Sequence, residues 1–242
     1  MKNLQISFSL FLLLGVSACS EMNSNKHQAA MDLAAAWVTA SYTSQDAALS
    51  MVDQNMAEDG VSVGSRYVGF GFVWDPEGDG MVVDYVVPES PASAVLMEGD
   101  SFVEVNGVRL TNENRNSLGF RGKPGENVDA VISRDGVEMP ISVARGAVQT
   151  RYSKERVMNN ISNSDAEDWG PEDFNIVETG VTNEGVVHVL HWSEFIEDAT
   201  GYKANAYTVT RFEFDDDGKV TWVGNLSEDR FVLEQQGYSI TR

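Results

Sequence analysis

The sequence predicts an α+β protein, and three observations carry that prediction. Apolar residues recur at helical spacing near the N-terminus, and runs rich in β-branched residues fill most of the remainder. Turn sequences such as Asn106-Gly107 and Asp135-Gly136 separate those runs. The 242 residues are 42% hydrophobic and 22% charged, which is typical of folded domains and allows one large domain or two small ones.

The chain is strongly acidic, with 17 basic residues, 37 acidic residues and a net charge of -20. The negative electrostatic potential of such a chain repels phosphates and anionic lipid surfaces, so we expect no nucleic-acid partner. The sequence has no phosphate loop, dinucleotide fingerprint or metal-ligand cluster. We therefore expect neither a cofactor nor a metal.

The N-terminus has the pattern of a secretory signal. Lys2 precedes an apolar run over residues 6–16 that is too short to serve as a permanent membrane span. The run ends in "VSAC", which resembles the lipobox of bacterial lipoproteins. That resemblance implies that residues 1–18 are removed and that Cys19 carries the lipid. An ordinary signal with a chance cysteine is the alternative.

The lipobox resemblance also implies a location. We expect a lipid-anchored protein of the bacterial cell envelope. In a host with two membranes, Ser20 rather than Asp after Cys19 implies the outer membrane, facing the periplasm. Residues 19–26 are polar and lack apolar periodicity, which predicts a flexible tether. Cys19 is the only cysteine, so no internal disulfide can form.

The two ends of the chain predict helices followed by long strands. A stripe of apolar residues predicts a helix over residues 27–41, and Ser44 is the expected cap of a second helix that ends at Asp59-Gly60. Ser153 is the expected cap of a third helix. Strands are then predicted over residues 174–181, 186–195, 204–214 and 219–226.

The middle of the chain predicts shorter strands, over residues 81–87, 101–105, 128–133 and 138–143. Two short helices are expected over residues 89–95 and 112–119. A further stretch, Tyr67 to Trp74, reads "YVGFGFVW" and is typical of a strand despite Gly69 and Gly71. Glycine inside a strand usually marks a bulge or the close approach of another backbone.

Four stretches in this order, "GFGF", "VVPESPASAV", "EGDSFVEVNGVRL" and "GKPGENVDAVISRDGVEM", resemble a bacterial PDZ domain of the kind found in HtrA-type and C-terminal-processing proteases. The resemblance implies a β-sandwich or partial barrel over residues 64–147. It also implies that protein or peptide C-termini and extended segments bind there by strand addition, with backbone N–H groups holding the terminal carboxylate. The residues expected to bind the peptide are Val68, Gly69, Phe70, Gly71 and Phe72.

The segment departs from that family in two places. Residues 94–97 lack the usual Ala-Gly-Leu, and the groove-lining helix around residues 112–120 is short and polar. The protease nucleophile motifs are also missing, so we expect an adaptor or sensor and no catalytic residues. The alternative is a groove filled by the protein's own chain.

The flanking stretches "AAAWVTASYTSQDAALSMV", "VVHVLHWSEF", "ATGYKANAYTVTRFEFDDDGKVTWV" and "FVLEQQG" resemble the NTF2-like fold, in particular its SnoaL-like group. The resemblance implies helices packed on a curved antiparallel sheet that forms a cone. The cone would be built from residues 27–63 and 148–242, with the PDZ domain inserted between them. The rival interpretation is a PDZ domain followed by an unrelated α+β domain.

Cones of that family host isomerases, cyclases and small-molecule binders, which gives an alternative function. The side chains expected to line such a pocket are Tyr42, Asp53, His188, His191 and Asp229. His188 and His191 have odd spacing on one strand and so face opposite sides, which excludes a shared metal. Nothing in the sequence pairs a base with a proton donor. Homodimerisation through the outer sheet face is a third alternative.

Overall fold

The computed structural model describes residues 9–74, 78–167, 169–196, 201–229 and 232–233, and the fold is α+β, as the sequence predicts. The first eight residues of the expected signal and most of the closing stretch 231–237 lie outside the described residues. The chain divides into two compact units. The second unit spans Val63–Arg151, and the first contains the described residues up to Ser62 and from Tyr152 onward.

The part of the chain that the structure describes contains three α-helices and twelve strands. The helices are α1 (Ser9–Thr43), α2 (Gln45–Asn55) and α3 (Lys154–Ser162). The strands are β1 (Met56–Gly69), β2 (Phe72–Trp74), β3 (Val83–Val86), β4 (Ser101–Val105), β5 (Val108–Arg109), β6 (Asn127–Arg134), β7 (Val137–Ala144), β8 (Gly146–Ser153), β9 (Asp173–Val181), β10 (Val187–Ile196), β11 (Lys203–Phe214) and β12 (Val220–Ser227).

Both predicted helix caps are confirmed. The Ser44 hydroxyl accepts a hydrogen bond from the Ala47 N–H at 3.1 Å at the start of α2. The Ser153 hydroxyl accepts one from the Arg156 N–H at 3.3 Å at the start of α3. Each cap satisfies one of the backbone donors that the first turn of a helix leaves without an intrahelical partner.

Two helix ends differ from the prediction. α1 continues through residues 19–26, where the sequence predicts a tether, because no glycine or proline interrupts that stretch and each added residue gains a backbone hydrogen bond. α2 stops at Asn55, and the expected end at Asp59-Gly60 is wrong because residues 56–60 belong to β1. No helix in the described part is both long and apolar enough to cross a membrane.

The helices of the first unit pack on a sheet with the strand order β8-β1-β12-β11-β10-β9, of which β9 to β12 lie wholly within this unit. Strands β9 to β12 pair antiparallel. Trp37 of α1 meets Phe212 of β11 edge to face, with ring centroids 6.0 Å apart, and Val187 and Val189 of β10 are fully buried in the same cluster. β1 and β8 carry the chain out of this unit and back.

The second unit contains a four-stranded sheet, β5-β4-β6-β7, and the β2-β3 pair. Its core gathers apolar side chains from both sheets, including Phe70, Met81, Phe102 and Ile132. The two helices predicted here are only single 3-10 turns, Pro91–Ala94 and Arg115–Ser117.

The prediction of a helix over residues 112–119 is therefore wrong, and side-chain competition explains why. The Asn114 side chain accepts a hydrogen bond from the Thr111 N–H and donates one to the Arg109 carbonyl, both at 2.9 Å. Asparagine side chains that bond to nearby backbone in this way stabilise turns at the expense of helix.

A buried ion pair ties the second unit together. Asp100 is 1% exposed, and its carboxylate accepts two hydrogen bonds of 2.7 Å from the Arg134 guanidinium. Arg134 also donates to the Val95 carbonyl, and the Met97 N–H donates to Asp100. The guanidinium holds the pKa of Asp100 below its ordinary value, so the stabilisation is present at neutral pH and is lost as acid protonates the carboxylate.

We expect Asp100→Asn to lower the free energy of unfolding by about 3 kcal/mol, because it leaves a guanidinium without its partner charge. Urea unfolding followed by circular dichroism measures the loss. Glu126→Gln is the matched control, because Glu126 pairs with Arg145 from an exposed position and should cost less than about 1 kcal/mol. Equal losses from the two variants would contradict the assignment.

Candidate functional site

The predicted strand Tyr67–Trp74 is broken at Phe70 and Gly71, where β1 ends and β2 begins. Gly71 has φ +97, a conformation that side chains with a Cβ rarely adopt, and a Cβ there would collide with the Ser90 side chain. The Gly71 carbonyl accepts hydrogen bonds from the Val87 N–H at 2.9 Å and the Ser90 hydroxyl at 3.1 Å. Only glycine therefore fits this turn.

The hydrogen bond from Val87 to Gly71 sets the direction in which Phe72 presents its backbone. Phe72 lies opposite Val86 in the β2-β3 ladder. Because the bond joins the neighbours Val87 and Gly71, Phe72 and Val86 form a non-hydrogen-bonded pair. The N–H and C=O of Phe72 consequently point away from β3.

Trp74 presents its backbone in the same direction. It lies opposite Val83, whose N–H donates to the Asp100 carbonyl at 2.8 Å and whose carbonyl accepts from the Gly99 N–H at 2.7 Å. Both polar groups of Val83 are thus used on the side away from β2, so those of Trp74 face the other edge. Within the described residues, β3 is the only strand beside β2, and this edge is unpaired.

A groove of about 390 Å³ lies along this strand. Its lining combines aromatic and apolar side chains with two arginines: Tyr67, Phe70, Gly71, Phe72, Trp74, Met81, Arg115, Ser117, Leu118, Phe120 and Arg121. Phe72 contacts the rings of Phe102 and Phe120, each with centroids 4.9 Å apart. The groove thus joins an apolar lining to an open row of backbone donors and acceptors.

The wall opposite β2 is a segment with little regular structure that Arg145 holds in place. The Arg145 guanidinium donates to the Gly119 carbonyl at 2.6 Å and the Phe120 carbonyl at 3.3 Å, and it contacts the Glu126 carboxylate at 3.3 Å. Its side chain is only 9% exposed. A buried arginine therefore satisfies backbone carbonyls that a helix would otherwise have paired.

The two arginines of the groove lie at opposite ends of β2. The Arg115 guanidinium lies 5.3 Å from the centroid of the Trp74 ring and donates to the Gly78 and Gly80 carbonyls at 2.6 and 3.3 Å. The Arg121 guanidinium lies 4.3 Å from the centroid of the Tyr67 ring, beside the start of the glycine turn. Among the described residues, no aspartate or glutamate lines the groove.

The structure places three of the five expected peptide-binding residues, Phe70, Gly71 and Phe72, in the lining of the groove. Val68 and Gly69 lie at the end of β1 and do not line it. Sequence reasoning missed Trp74, although its spacing of two from Phe72 puts both on one face. The groove-lining segment expected around residues 112–120 does line the groove, although as a 3-10 turn and irregular chain in place of a helix.

In the first unit, two of the expected pocket residues meet. His191 of β10 is 1% exposed, with Nδ1 3.3 Å from the Tyr42 hydroxyl and Nε2 2.9 Å from the Thr210 hydroxyl. Burial lowers the pKa of His191 to about 4, so the ring is neutral at pH 7. Burial also raises the pKa of Tyr42, while a hydrogen bond with Ser193 opposes that shift.

The other three expected pocket residues are elsewhere. His188 lies at odd spacing from His191 and opposite Arg211, so it faces the other side of the sheet. Asp53 is exposed on α2 because it neighbours the inward-facing Val52, and Asp229 is exposed beyond the end of β12. No group of three or more potential metal ligands occurs in the part of the chain described.

No protein-family model and no curated protein matches the chain. Among solved structures, it is similar to a phenazine biosynthesis-related protein from Pseudomonas aeruginosa, with a TM-score of 0.41, 10% identity and coverage of 92% of this chain and 94% of that one. A PDZ domain protein from Parabacteroides distasonis matches with a TM-score of 0.28, 11% identity and coverage of 73% and 63%. An aminopeptidase N family protein from Idiomarina loihiensis matches with a TM-score of 0.30, 16% identity and coverage of 46% and 22%. Similarities with TM-scores this low do not indicate a function.

We expect the buried His191 to make the stability of the first unit depend on pH. The unfolded histidine binds a proton near pH 6.5 and the folded one only near pH 4, so its contribution is complete above pH 6.5 and falls as the pH drops to 4. The loss is about 3 kcal/mol across that window. Urea unfolding of the wild type and of His191→Gln, at pH 7.5 and 4.5, measures it. Parallel pH dependence in the two proteins would show that His191 is not the cause.

Proposed function

We propose that the protein binds extended or C-terminal peptide segments in the groove of its second unit and acts as an adaptor or sensor. The observation that carries this proposal is the unpaired edge of β2, where the N–H and C=O groups of Phe72 and Trp74 face an aromatic groove. A peptide laid along that edge would extend the sheet and satisfy these groups. Its side chains would enter the groove at every second position.

The turn at Gly71 forms the end of the groove where the terminal carboxylate of a peptide would bind. A residue at a positive φ can turn successive backbone N–H groups toward one point, and such a concave run of N–H groups binds anions. Gly71, with φ +97, supplies this conformation directly before Phe72. The chain end of a peptide carries the negative charge that fits there. We infer that a free carboxylate is favoured over an amide.

We propose that the second unit is PDZ-like and is inserted into an NTF2-like first unit. The order of the PDZ-like sequence stretches supports the first part. The chain path supports the second, because β1 leads into the unit that begins at Val63 and β8 leads out of the unit that ends at Arg151. Insertions of this kind succeed where the two ends of the guest are close together.

A second candidate function is small-molecule binding or catalysis in the first unit, and the Tyr42–His191–Thr210 cluster favours it. A neutral histidine beside a phenol is a combination that can move protons. The cluster supports this function less well than the groove supports peptide binding. His191 is almost fully buried and has a hydrogen-bonding neighbour at each ring nitrogen, which is the usual state of a core histidine.

We also propose that Cys19 carries a lipid anchor that holds the protein at the envelope, in the outer membrane and facing the periplasm. The "VSAC" sequence supports this proposal. Several acyl chains together give stable membrane attachment, whereas a single chain is only marginally sufficient. A groove held near a membrane in this way would sample the chain ends of envelope proteins.

We expect Gly71→Ala to weaken the binding of free-carboxylate peptides at least about tenfold, a loss of about 1.4 kcal/mol in binding free energy, because the new Cβ collides with the Ser90 side chain and displaces the turn that orients the Phe72 backbone. Fluorescence polarisation with a labelled peptide library and its C-terminal amides measures the effect. Gly136→Ala is the matched control, since Gly136 also has a positive φ, +78, but a Cβ there has no neighbour within 4 Å.

The control separates backbone strain from damage to the groove, because both variants introduce a Cβ at a positive φ and only one lies at the site. Thermal unfolding shows whether the Gly71 variant is folded. If it is not, comparing free acids with amides on the wild type provides the test. The proposal fails if no free-carboxylate peptide binds the wild type, or if acids and amides bind the wild type equally and Gly71→Ala leaves affinity unchanged.

We expect Cys19→Ser to abolish incorporation of labelled palmitate by the full chain in a bacterial host and to move the protein from the membrane fraction to the soluble periplasmic fraction. Cys19 is the only sulfur nucleophile available, so no other side chain replaces it. Ser20→Asp is a control that keeps the lipid and should shift the protein to the inner membrane. Wild-type protein without label would contradict lipidation.

A further inference from the structure

The backbone of Arg145 is fixed to the four-stranded sheet of the second unit. Its N–H donates to the Glu126 carbonyl, and its carbonyl accepts from the Gly125 N–H, both at 2.9 Å. These bonds continue the pairing of β6 with β7 past the last pair of the ladder, Asn127 with Ala144. Because hydrogen-bonded strands hold each other in register, the side chain of Arg145 starts from a defined place.

The other end of the same side chain reaches the wall opposite β2. Its Nη2 donates to the Gly119 carbonyl at 2.6 Å, and its Nε donates to the Phe120 carbonyl at 3.3 Å. One edge of a planar guanidinium thus spans two neighbouring carbonyls, which a single lysine nitrogen cannot reproduce. Gly122 leaves room for this group, since a Cβ there would lie 3.0 Å from the Arg145 Cζ. Arg145 therefore connects the wall to the sheet.

The wall supplies two apolar side chains to the groove. Leu118 and Phe120 line it, whereas Arg145 does not. The Phe120 ring lies against the Phe72 ring, with centroids 4.9 Å apart. A shift of the Phe120 carbonyl away from the guanidinium would carry the ring with it, because both belong to one residue. The position of the groove lining therefore depends on Arg145.

The two sides of the groove are supported independently. On the β2 side, the Gly71 carbonyl accepts hydrogen bonds from the Val87 N–H and the Ser90 hydroxyl. Directly paired residues place their side chains on the same face of a sheet. A ligand side chain paired with Phe72 therefore emerges beside the Phe72 ring and meets Phe120 of the wall. Ligand backbone and ligand side chain thus depend on different supports.

We propose that Arg145 is a positioning residue for the groove, which sets how closely the wall contacts an apolar side chain of the bound segment. It acts through Leu118 and Phe120 and does not touch the ligand. This inference rests on the proposed peptide-binding function and divides it into two parts. The turn at Gly71 controls discrimination between a free acid and an amide, and Arg145 controls discrimination between ligand side chains.

The test measures two affinity ratios by fluorescence polarisation with the full chain. The first compares a labelled free-acid peptide ending in Phe with the same peptide ending in Ala, and the second compares the Phe acid with its amide. We expect the wild type to bind the Phe acid about tenfold more tightly than the Ala acid. In Arg145→Gln this ratio should fall to about threefold or less, while the acid-to-amide ratio stays within about twofold of the wild-type value.

Both ratios are independent of the fraction of protein that is folded, so a merely structural role of Arg145 would leave them unchanged. Asp100→Asn is the matched control, because it removes the ion pair with Arg134 and does not alter a residue that lines the groove. Glu126→Gln removes the guanidinium's carboxylate contact and leaves both carbonyl bonds. Each control should keep the ratio of Phe to Ala within about twofold of the wild-type value.

Arg145→Lys keeps the positive charge but offers one nitrogen, so it should lower the ratio of Phe to Ala at least about twofold. It provides the test if the glutamine variant does not fold. A wild-type ratio in a folded Arg145 variant, an equal fall in Asp100→Asn, or equal binding of the Phe and Ala acids by the wild type would overturn the inference.

Those outcomes are distinguishable from failure of the proposed function. Binding that requires a free carboxylate and Gly71, with side-chain discrimination that ignores Arg145, leaves peptide binding intact and removes only the positioning role. No binding of any free-carboxylate peptide removes both.

Discussion

The turn at Gly71 is the constraint on which the site depends. Its carbonyl is held by the Val87 N–H and the Ser90 hydroxyl, and these two bonds fix the register between β2 and β3. Slipping that register by one residue would turn Phe72 and Trp74 toward β3 and bury the backbone groups that now face outward. A glycine that interrupts a strand therefore sets the direction in which the unpaired edge of β2 faces.

The groove is built from parts that have little regular structure of their own. The wall opposite β2 is a single 3-10 turn followed by an irregular segment, and Arg145 binds two of its carbonyls from a nearly buried position. Ordering such a segment costs conformational entropy, which hydrogen bonds to a charged group offset better than neutral ones do. The geometry of the groove thus depends on a residue that does not line it.

Buried titratable side chains are stabilised differently in the two units. In the second unit, the buried Asp100 remains ionised because the Arg134 guanidinium pairs with it. In the first unit, His191 is kept neutral by burial and by neighbours that do not carry charge. Acid should therefore weaken the first unit through His191 and the second unit as Asp100 is protonated.

The sequence by itself determined the local structure and the location of the glycine turn. The caps at Ser44 and Ser153 and most strands follow from hydrogen-bonding side chains and alternating apolar residues, which act over a few positions. Only the tertiary structure decided the end of α2 at Asn55, where the chain enters β1, and the place of Trp74 in the groove. Those outcomes depend on strand pairing and on side-chain contacts between segments that are distant in the sequence. The spacing of residues along the chain does not predict either.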